Sequence, residues 1–192
     1  MNIFLQIWGG AGYLLAKVLL SHAEGLDDDR TWRMAGWAAY LAGLPAWVVL
    51  LAAQQTWMAC AVEAAGAPSF ALGLVMAWKR IDNINRALDW SIKIFTYLMI
   101  LLGASYSVYT FKGITTLTQV LEIGVTFGFL LGAYLLAKKN SIGWLLFAEM
   151  LICMCVIMLI QGNMILAFQQ AVSLVFAIVG FVRSRQKQKR SW

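Results

Sequence analysis

Three carboxylates, Glu63, Glu122 and Glu149, lie inside long apolar stretches of this 192-residue chain. A carboxylate in hydrocarbon is costly, so it ordinarily faces other polar groups or water and marks a pathway. Glu122 falls toward the end of its stretch, where water can reach it, whereas Glu63 and Glu149 fall well inside theirs. Each could balance a cationic solute, tie two helices together, or stay protonated and silent. Gln169 and Gln170 lie in the last apolar stretch. Their amides can pair with a ribose hydroxyl or a carboxamide, or bridge helices. Trp37, Tyr40, Leu44 and Trp47 recur at i, i+3, i+7 and i+10, which places them on one helix face. Trp144 and Phe147 repeat the first two at the same spacing. Such a face can stack on a flat ring or hold a cation. Trp37 and Trp144, near the ends of their stretches, also suit an interfacial aromatic belt. The candidate substrate-binding set is therefore Trp37, Tyr40, Trp47, Glu63, Trp144, Phe147, Glu149, Gln169 and Gln170.

Other chemistries lack their parts. There is no Gly-x-x-x-x-Gly-Lys-Ser/Thr loop, so ATP is not expected to drive this chain directly. The single histidine, His22, lies in a connection, and no nucleophile–base–orienter set is visible, so the chain is not expected to be an enzyme. Cys60, Cys153 and Cys155 all fall in apolar stretches and read as small packing residues. A metal site would want more soft ligands than a Cys-x-Cys pair, and neither a metal nor a cofactor is expected. Lys17 and Lys93 sit near the ends of apolar stretches and can snorkel to water. Recognition of a phosphate would want buried basic groups. The expected solute is thus unphosphorylated and neutral or cationic, and a pyridinium nucleoside or thiamine would fit.

The elements that must position these groups are apolar helices. Hydrophobic residues make up 61% of the chain, charged residues 12%, and mean hydropathy is +0.74. A soluble domain usually carries about 25% charged residues. Apolar stretches of roughly 18 or more residues recur, each long enough for a bilayer core of about 30 Å. Seven spans are expected near 3–20, 34–53, 57–78, 91–111, 116–137, 142–160 and 163–183. Backbone groups in lipid must be satisfied within a segment, so the fold class is all-α, a polytopic membrane bundle. The net charge of +6 does not point to nucleic acid, because the charges cluster at span ends and in the tail. Arg30 and Arg33, then Lys79, Arg80 and Arg86, then Lys138 and Lys139, then Arg183 to Arg190 all fall on one side if there are seven spans. The other side holds Gln54–Thr56, Gln161–Asn163 and one base, Lys112. The positive-inside rule puts the N-terminus outside and the basic tail in the cytoplasm. The start, Met-Asn-Ile-Phe-Leu, has no basic flank and does not read as a removed signal peptide.

Internal matches suggest duplication. Tyr13-Leu14-Leu15-Ala16-Lys17 recurs as Tyr134-Leu135-Leu136-Ala137-Lys138, and Gly36-Trp37-x-x-Tyr40 as Gly143-Trp144-x-x-Phe147. Gln55, Glu63 and Phe70 match Gln161, Gln169 and Phe176 at a constant offset. Three spans end on the side opposite their start, so one extra helix is needed before a second unit can enter in the same orientation. A 3+1+3 plan of parallel repeats follows: residues 1–80 form the first unit, 81–114 the linker helix, 115–183 the second unit and 184–192 the tail. Parallel repeats are a known transporter design, with the site near the midplane between them.

The run Tyr134-Leu135-Leu136-Ala137-Lys138-Lys139, with Gly143-Trp144-Leu145-Leu146-Phe147, Gln161-Gly162 and Ala177-Ile178-Val179-Gly180-Phe181, resembles the C-terminal half of the PnuC transporters. The resemblance covers roughly the last third of the chain well and the first unit loosely. Where the family often shows Trp-x-x-Trp, this chain has Trp144-x-x-Phe147 and Trp37-x-x-Tyr40, and Glu149 matches a family acidic position. The resemblance implies a 3+1+3 plan like that of the SWEET sugar transporters. It also implies uptake of nicotinamide riboside, or a related vitamin such as thiamine, by facilitated diffusion that phosphorylation inside the cell makes one-way. The expected setting is the bacterial inner membrane. The expected partners are the small-molecule solute and the lipid bilayer, with no nucleic acid and with self-association left open. The alternative is a non-transporting membrane partner subunit, sensor or assembly protein, whose basic tail would dock or bind anionic lipid.

Overall fold

The computed structural model describes residues 3–53, 57–81, 84–110, 112–113, 116–162 and 164–190. Gln54–Thr56 and Asn163, assigned above to connections, lie outside the described residues, as does Thr115. The described residues form eight helices: α1 (Ile3–Ala23), α2 (Arg30–Ala53), α3 (Trp57–Ala65), α4 (Ala67–Lys79), α5 (Arg86–Thr110), α6 (Leu117–Ala137), α7 (Ile142–Ile160) and α8 (Met164–Arg190). Among the described residues six stretches are long and apolar enough to cross a membrane: Ile3–Ala23, Ala59–Lys79, Arg86–Tyr109, Leu117–Ala137, Ile142–Ile160 and Leu166–Lys189. The chain is therefore an all-helical bundle with the character of an integral membrane protein.

Two boundaries differ from expectation for local reasons. The third apolar stretch is broken at Gly66 into α3 and α4. Pro68 sits in the first turn of α4, where its missing N–H costs nothing, but that residue cannot donate back into α3. The last helix continues to Arg190, so most of the basic tail is helical. Lys187 holds it to the α1–α2 connection, pairing with Asp29 and donating to the Leu26 carbonyl at 2.6 Å.

Packing closes a ring. Helix α1 packs on α2, α2 on α4, α4 on α6, α6 on α7, α7 on α8, and α8 returns to α1. Helix α5 stands outside the ring against α6 and α3, and its outer face, with Leu98, Leu101, Leu102, Tyr106 and Tyr109, is exposed. Glycines let the ring helices approach. A Cβ on Gly12 of α1 would lie 3.0 Å from the Gly43 Cα of α2 and 3.2 Å from the Ala39 carbonyl. A Cβ on Gly128 of α6 would lie 2.9 Å from the Met150 Cβ of α7 and 2.6 Å from the Leu146 carbonyl. Small residues at such crossings allow backbone contact that larger ones would block.

The charged connections meet at one end of the ring. Arg30 Nη2 donates to the Trp78 carbonyl at 3.0 Å, and Lys187 bridges to Asp29 at 3.3 Å. Arg183 Nη1 donates to the Ser21 carbonyl at 3.2 Å. At the same end of α6, Asp89 of α5 accepts from Tyr134 at 2.8 Å and pairs with Lys138 at 2.7 Å.

Candidate functional site

The interior of the ring is a continuous stack of aromatic rings, one from each of five helices. Tyr40 of α2 lies face to face with Phe70 of α4, with centroids 4.6 Å apart and planes at 12°. Tyr13 of α1 meets Tyr40 edge-on at 5.0 Å. Phe129 of α6 meets Phe70 at 5.7 Å, and Phe147 of α7 lies 6.1 Å from Tyr40 and 6.5 Å from Phe129. Trp37 flanks Tyr40 and Phe70, at 5.9 and 6.1 Å. Offset and edge-to-face geometries of this kind add about 0.5–1.5 kcal/mol per pair beyond burial. Tyr40, Phe70 and Phe147 are all at most 1% exposed, so the rings fill the space they enclose.

Two charged groups meet this stack at Tyr13. The Tyr13 hydroxyl donates to Glu63 Oε1 of α3. The Lys17 ammonium lies over the Tyr13 ring at 5.7 Å and the Tyr40 ring at 5.9 Å. Lys17 is only 4% exposed. The expectation that it snorkels to water is overturned. It lies one turn beyond Tyr13 on the inner face of α1, and the rings, not water, surround it. Tyr13 thus meets a carboxylate through its hydroxyl and an ammonium through its ring.

The remaining predicted residues are placed separately. Trp47 reaches the stack through Tyr13, at 6.2 Å, with its ring against Gly9 and its Nε1 buried without a partner among the described residues. The Tyr40 hydroxyl is likewise buried and unpartnered among them. Glu149 lies between α6 and α7, where a Cβ on Gly124 would come within 2.8 Å of it and one on Gly128 within 2.4 Å. Its Oε1 accepts from the Cys153 thiol at 3.5 Å, and its Oε2 is buried without a partner among the described residues. Gln169 packs its amide on Gly10 of α1, and Gln170 is buried. Trp144 lies at the charged end, donating from Nε1 to Glu24 Oε1 at 3.2 Å. Trp37 and Trp144 are both 1% exposed, so neither is a lipid-facing belt residue.

Glu24 anchors a second polar cluster. Its Oε2 pairs with Arg33 at 3.0 Å, with both side chains 5% exposed. Arg33 also bonds Asp29 at 2.8 Å. Burial of Asp29 opposes its ionisation, but the Arg33 guanidinium and the Lys187 ammonium outweigh this and hold its carboxyl below the usual aspartate value.

The structure also corrects the register of the internal matches. Tyr13 points into the aromatic stack, whereas Tyr134 bonds Asp89 at the charged end. Lys17 is buried, whereas Lys138 is half-buried at the end of α6. The two Tyr-Leu-Leu-Ala-Lys runs thus occupy unlike places. Packing pairs Gly12 with Gly128 instead, since each meets the carbonyl of an equivalent residue, Ala39 and Leu146. The Gly73 and Gly180 contacts follow an offset one residue longer than the Glu63–Gln169 and Phe70–Phe176 matches. A Cβ on Gly73 would lie 2.3 Å from the Trp37 ring, and one on Gly180 would lie 2.6 Å from the Trp144 ring. That spacing aligns Glu63 with Gln170 and Phe70 with Ala177, and Phe70 and Ala177 are both 0% exposed. The thiols follow the same spacing: Cys60 bonds the Val48 carbonyl, and Cys155 the Ala167 carbonyl, each at 3.5 Å.

Sequence reasoning passed over Tyr13, Lys17 and Phe129 as site residues. The i, i+4 spacing of Tyr13 and Lys17 was the available signal, since it stacks the two on one face. No family model matches this chain, and no curated protein or solved structure does either.

Proposed function

We propose that this chain is a small transporter for an unphosphorylated vitamin or nucleoside, most specifically nicotinamide riboside, working by facilitated diffusion. Seven spans build it from two parallel three-span units, α1, α2 and the broken span α3–α4 in one and α6 to α8 in the other, with α5 as the linker outside them. The single observation that carries the reading is the aromatic stack shared between the two units, with Lys17 buried and Glu63 half-buried at its edge. An anchor has no need of an acid and a base against such a stack, whereas a pathway does. The closed ring of contacts supports the two-unit plan. So do the equivalent contacts Gly12 with Ala39 and Gly128 with Leu146, and Trp37 with Gly73 and Trp144 with Gly180. The sequence resemblance to PnuC transporters in the last third supports the choice of solute. On this reading a pyridinium ring would part the stack and take the place of Lys17 over Tyr13 and Tyr40, with Glu63 balancing its charge.

A non-transporting partner subunit or sensor is the second reading. The observation that favours it is the closure of the rings on one another, with Tyr40 1% exposed and Phe147 0%. Titration calorimetry of purified protein with nicotinamide riboside and with thiamine separates the two. Binding of either that weakens in Glu63→Gln supports transport, and absence of heat with both vitamins supports the second reading. Orientation has its own test. An impermeant thiol reagent applied to intact cells should reach an introduced Lys112→Cys and not Arg185→Cys, and the reverse result would invert the proposed topology.

A further inference from the structure

The two units proposed above meet along two seams, α1 with α8 and α4 with α6. We propose that the α1–α2 connection is a strap that keeps the charged end of the ring shut across the α1–α8 seam, and that its ionic contacts part when that end opens. The inference rests on the two-unit plan of the transport reading. Its test uses no solute, so either can fail without the other.

The connection between α1 and α2 has six residues, 24–29, where the one between α6 and α7 has four, 138–141. The longer connection reaches across to the second unit. Lys187 of α8 pairs with Asp29 at 3.3 Å and donates to the Leu26 carbonyl at 2.6 Å. Arg183, one turn earlier on α8, donates to the Ser21 carbonyl of α1 at 3.2 Å. Glu24, at the start of the connection, accepts from Trp144 of α7 at 3.2 Å and pairs with Arg33 at 3.0 Å. Arg33 in turn bonds Asp29 at 2.8 Å. The contacts thus form one network, running from α7 through the connection to α8.

Two features set this network apart from a fixed staple. The first is the contrast between the seams. By the spacings of the Trp–Gly contacts and of Gly12 with Gly128, the counterparts of Arg183 and Ser21 at the α4–α6 seam are Met76 and Ala137, both buried and apolar. Parting an apolar seam costs free energy for every Å² that water reaches. Parting a charged seam separates the ions but returns them to water, and a buried ion pair gains little over that hydrated state. Ions therefore suit the seam that opens, and apolar residues the one that stays closed. The second feature is the layering of the network. The Lys187 and Asp29 side chains are 40% and 16% exposed, whereas Glu24 and Arg33 are each 5% exposed. Water reaches the Lys187 contacts first, so they are the first to yield.

The test measures access to the ring interior from each side of the membrane. The parent is the full chain with Cys60, Cys153 and Cys155 replaced by alanine and with Ala177→Cys as the probe. Ala177 is 0% exposed and lies less than two turns inside Arg183 on α8. Ser173→Cys, one turn further in and 1% exposed, takes its place if Ala177→Cys fails to fold. A charged, impermeant thiosulfonate is applied to right-side-out and inside-out membrane vesicles, and the labelling rate is read. Lys187→Gln should raise the rate about fivefold or more from the side that carries the tail, and leave the other side unchanged. Lys187→Arg, which keeps the charge, should label like the parent. So should Arg185→Gln, exposed on the same helix. A rate unchanged in Lys187→Gln overturns the strap. So does a rise shared equally by both sides, by Lys187→Arg or by Arg185→Gln.

Discussion

Replacing Lys17 by methionine tests whether Lys17 and Glu63, beside the aromatic stack, are an interacting unit. The side chain is 4% exposed, with its ammonium 5.7 and 5.9 Å from the Tyr13 and Tyr40 centroids. Methionine fills a similar volume, so little of the effect would come from a cavity. What changes is that Glu63 keeps its hydrogen bond from Tyr13 while the cation over the Tyr13 ring is lost. Glu63 is half-buried and the two groups share Tyr13 rather than a direct ion pair, so the loss is about 1–3 kcal/mol. For a chain of this size each kcal/mol moves the melting temperature by roughly 2–4 °C, so Lys17→Met should melt about 2–12 °C below wild type. Removing both charges, in Lys17→Met/Glu63→Gln, is expected to be milder, since a neutral amide still accepts from Tyr13 and no charge is stranded. The double-mutant cycle should give a coupling of roughly 1–2 kcal/mol. Thermal unfolding of the four proteins in one detergent, followed by intrinsic tryptophan fluorescence, reads all of these. A single substitution that melts within a degree of wild type, or a double that is no better than the single, refutes the idea that the two groups are coupled.

Other outcomes follow from particular contacts. Gly73→Ala and Gly180→Ala should each lower stability by about 1–3 kcal/mol in the same assay, since each new Cβ would meet a tryptophan ring at 2.3 or 2.6 Å; in an ordinary helix the same change gains about 1 kcal/mol. Trp144→Phe removes the donor to Glu24 inside a buried ion-pair cluster, and denaturant titration should show a loss of about 1–3 kcal/mol. Asp29 has a folded pKa below its ordinary value, so its pairs contribute fully above about pH 3.9 and are lost as pH falls through the folded value. The half-exposed Lys187 limits the effect to about 1 kcal/mol, and Asp29→Asn should be less stable at neutral pH with a flatter acid limb of the stability profile.

The helices were legible because apolar runs of bilayer length leave few other structures open to them. The break at Gly66 was also written in the chain, as Pro68, but a continuous apolar run concealed it. The site was legible in part. The face carrying Trp37, Tyr40 and Trp47 is buried as its spacing implied, and Glu63 is half-buried with its bond to Tyr13. Lys17 was not legible, since a lysine so near the expected end of a span, at residue 20, can as easily reach water as turn inward. Register was misread where identity outweighed packing. The two Tyr-Leu-Leu-Ala-Lys runs look alike, yet contact between helices is set by where the glycines fall, at Gly12 and Gly128. Contacts such as Trp144 to Glu24, spanning most of the chain, are made by the closure of the ring and have no local signature.

If the proposed function holds, a flat, cationic vitamin crosses the bundle by way of the aromatic stack and Glu63. Uptake of radiolabelled nicotinamide riboside into liposomes containing the purified protein, beside Glu63→Gln and empty liposomes, tests this. Saturable uptake by wild type is expected, with competition by excess unlabelled riboside and a loss of about tenfold or more in Glu63→Gln, corresponding to roughly 1.4 kcal/mol of lost interaction. Uptake by wild type no faster than in empty liposomes would rule out this transport.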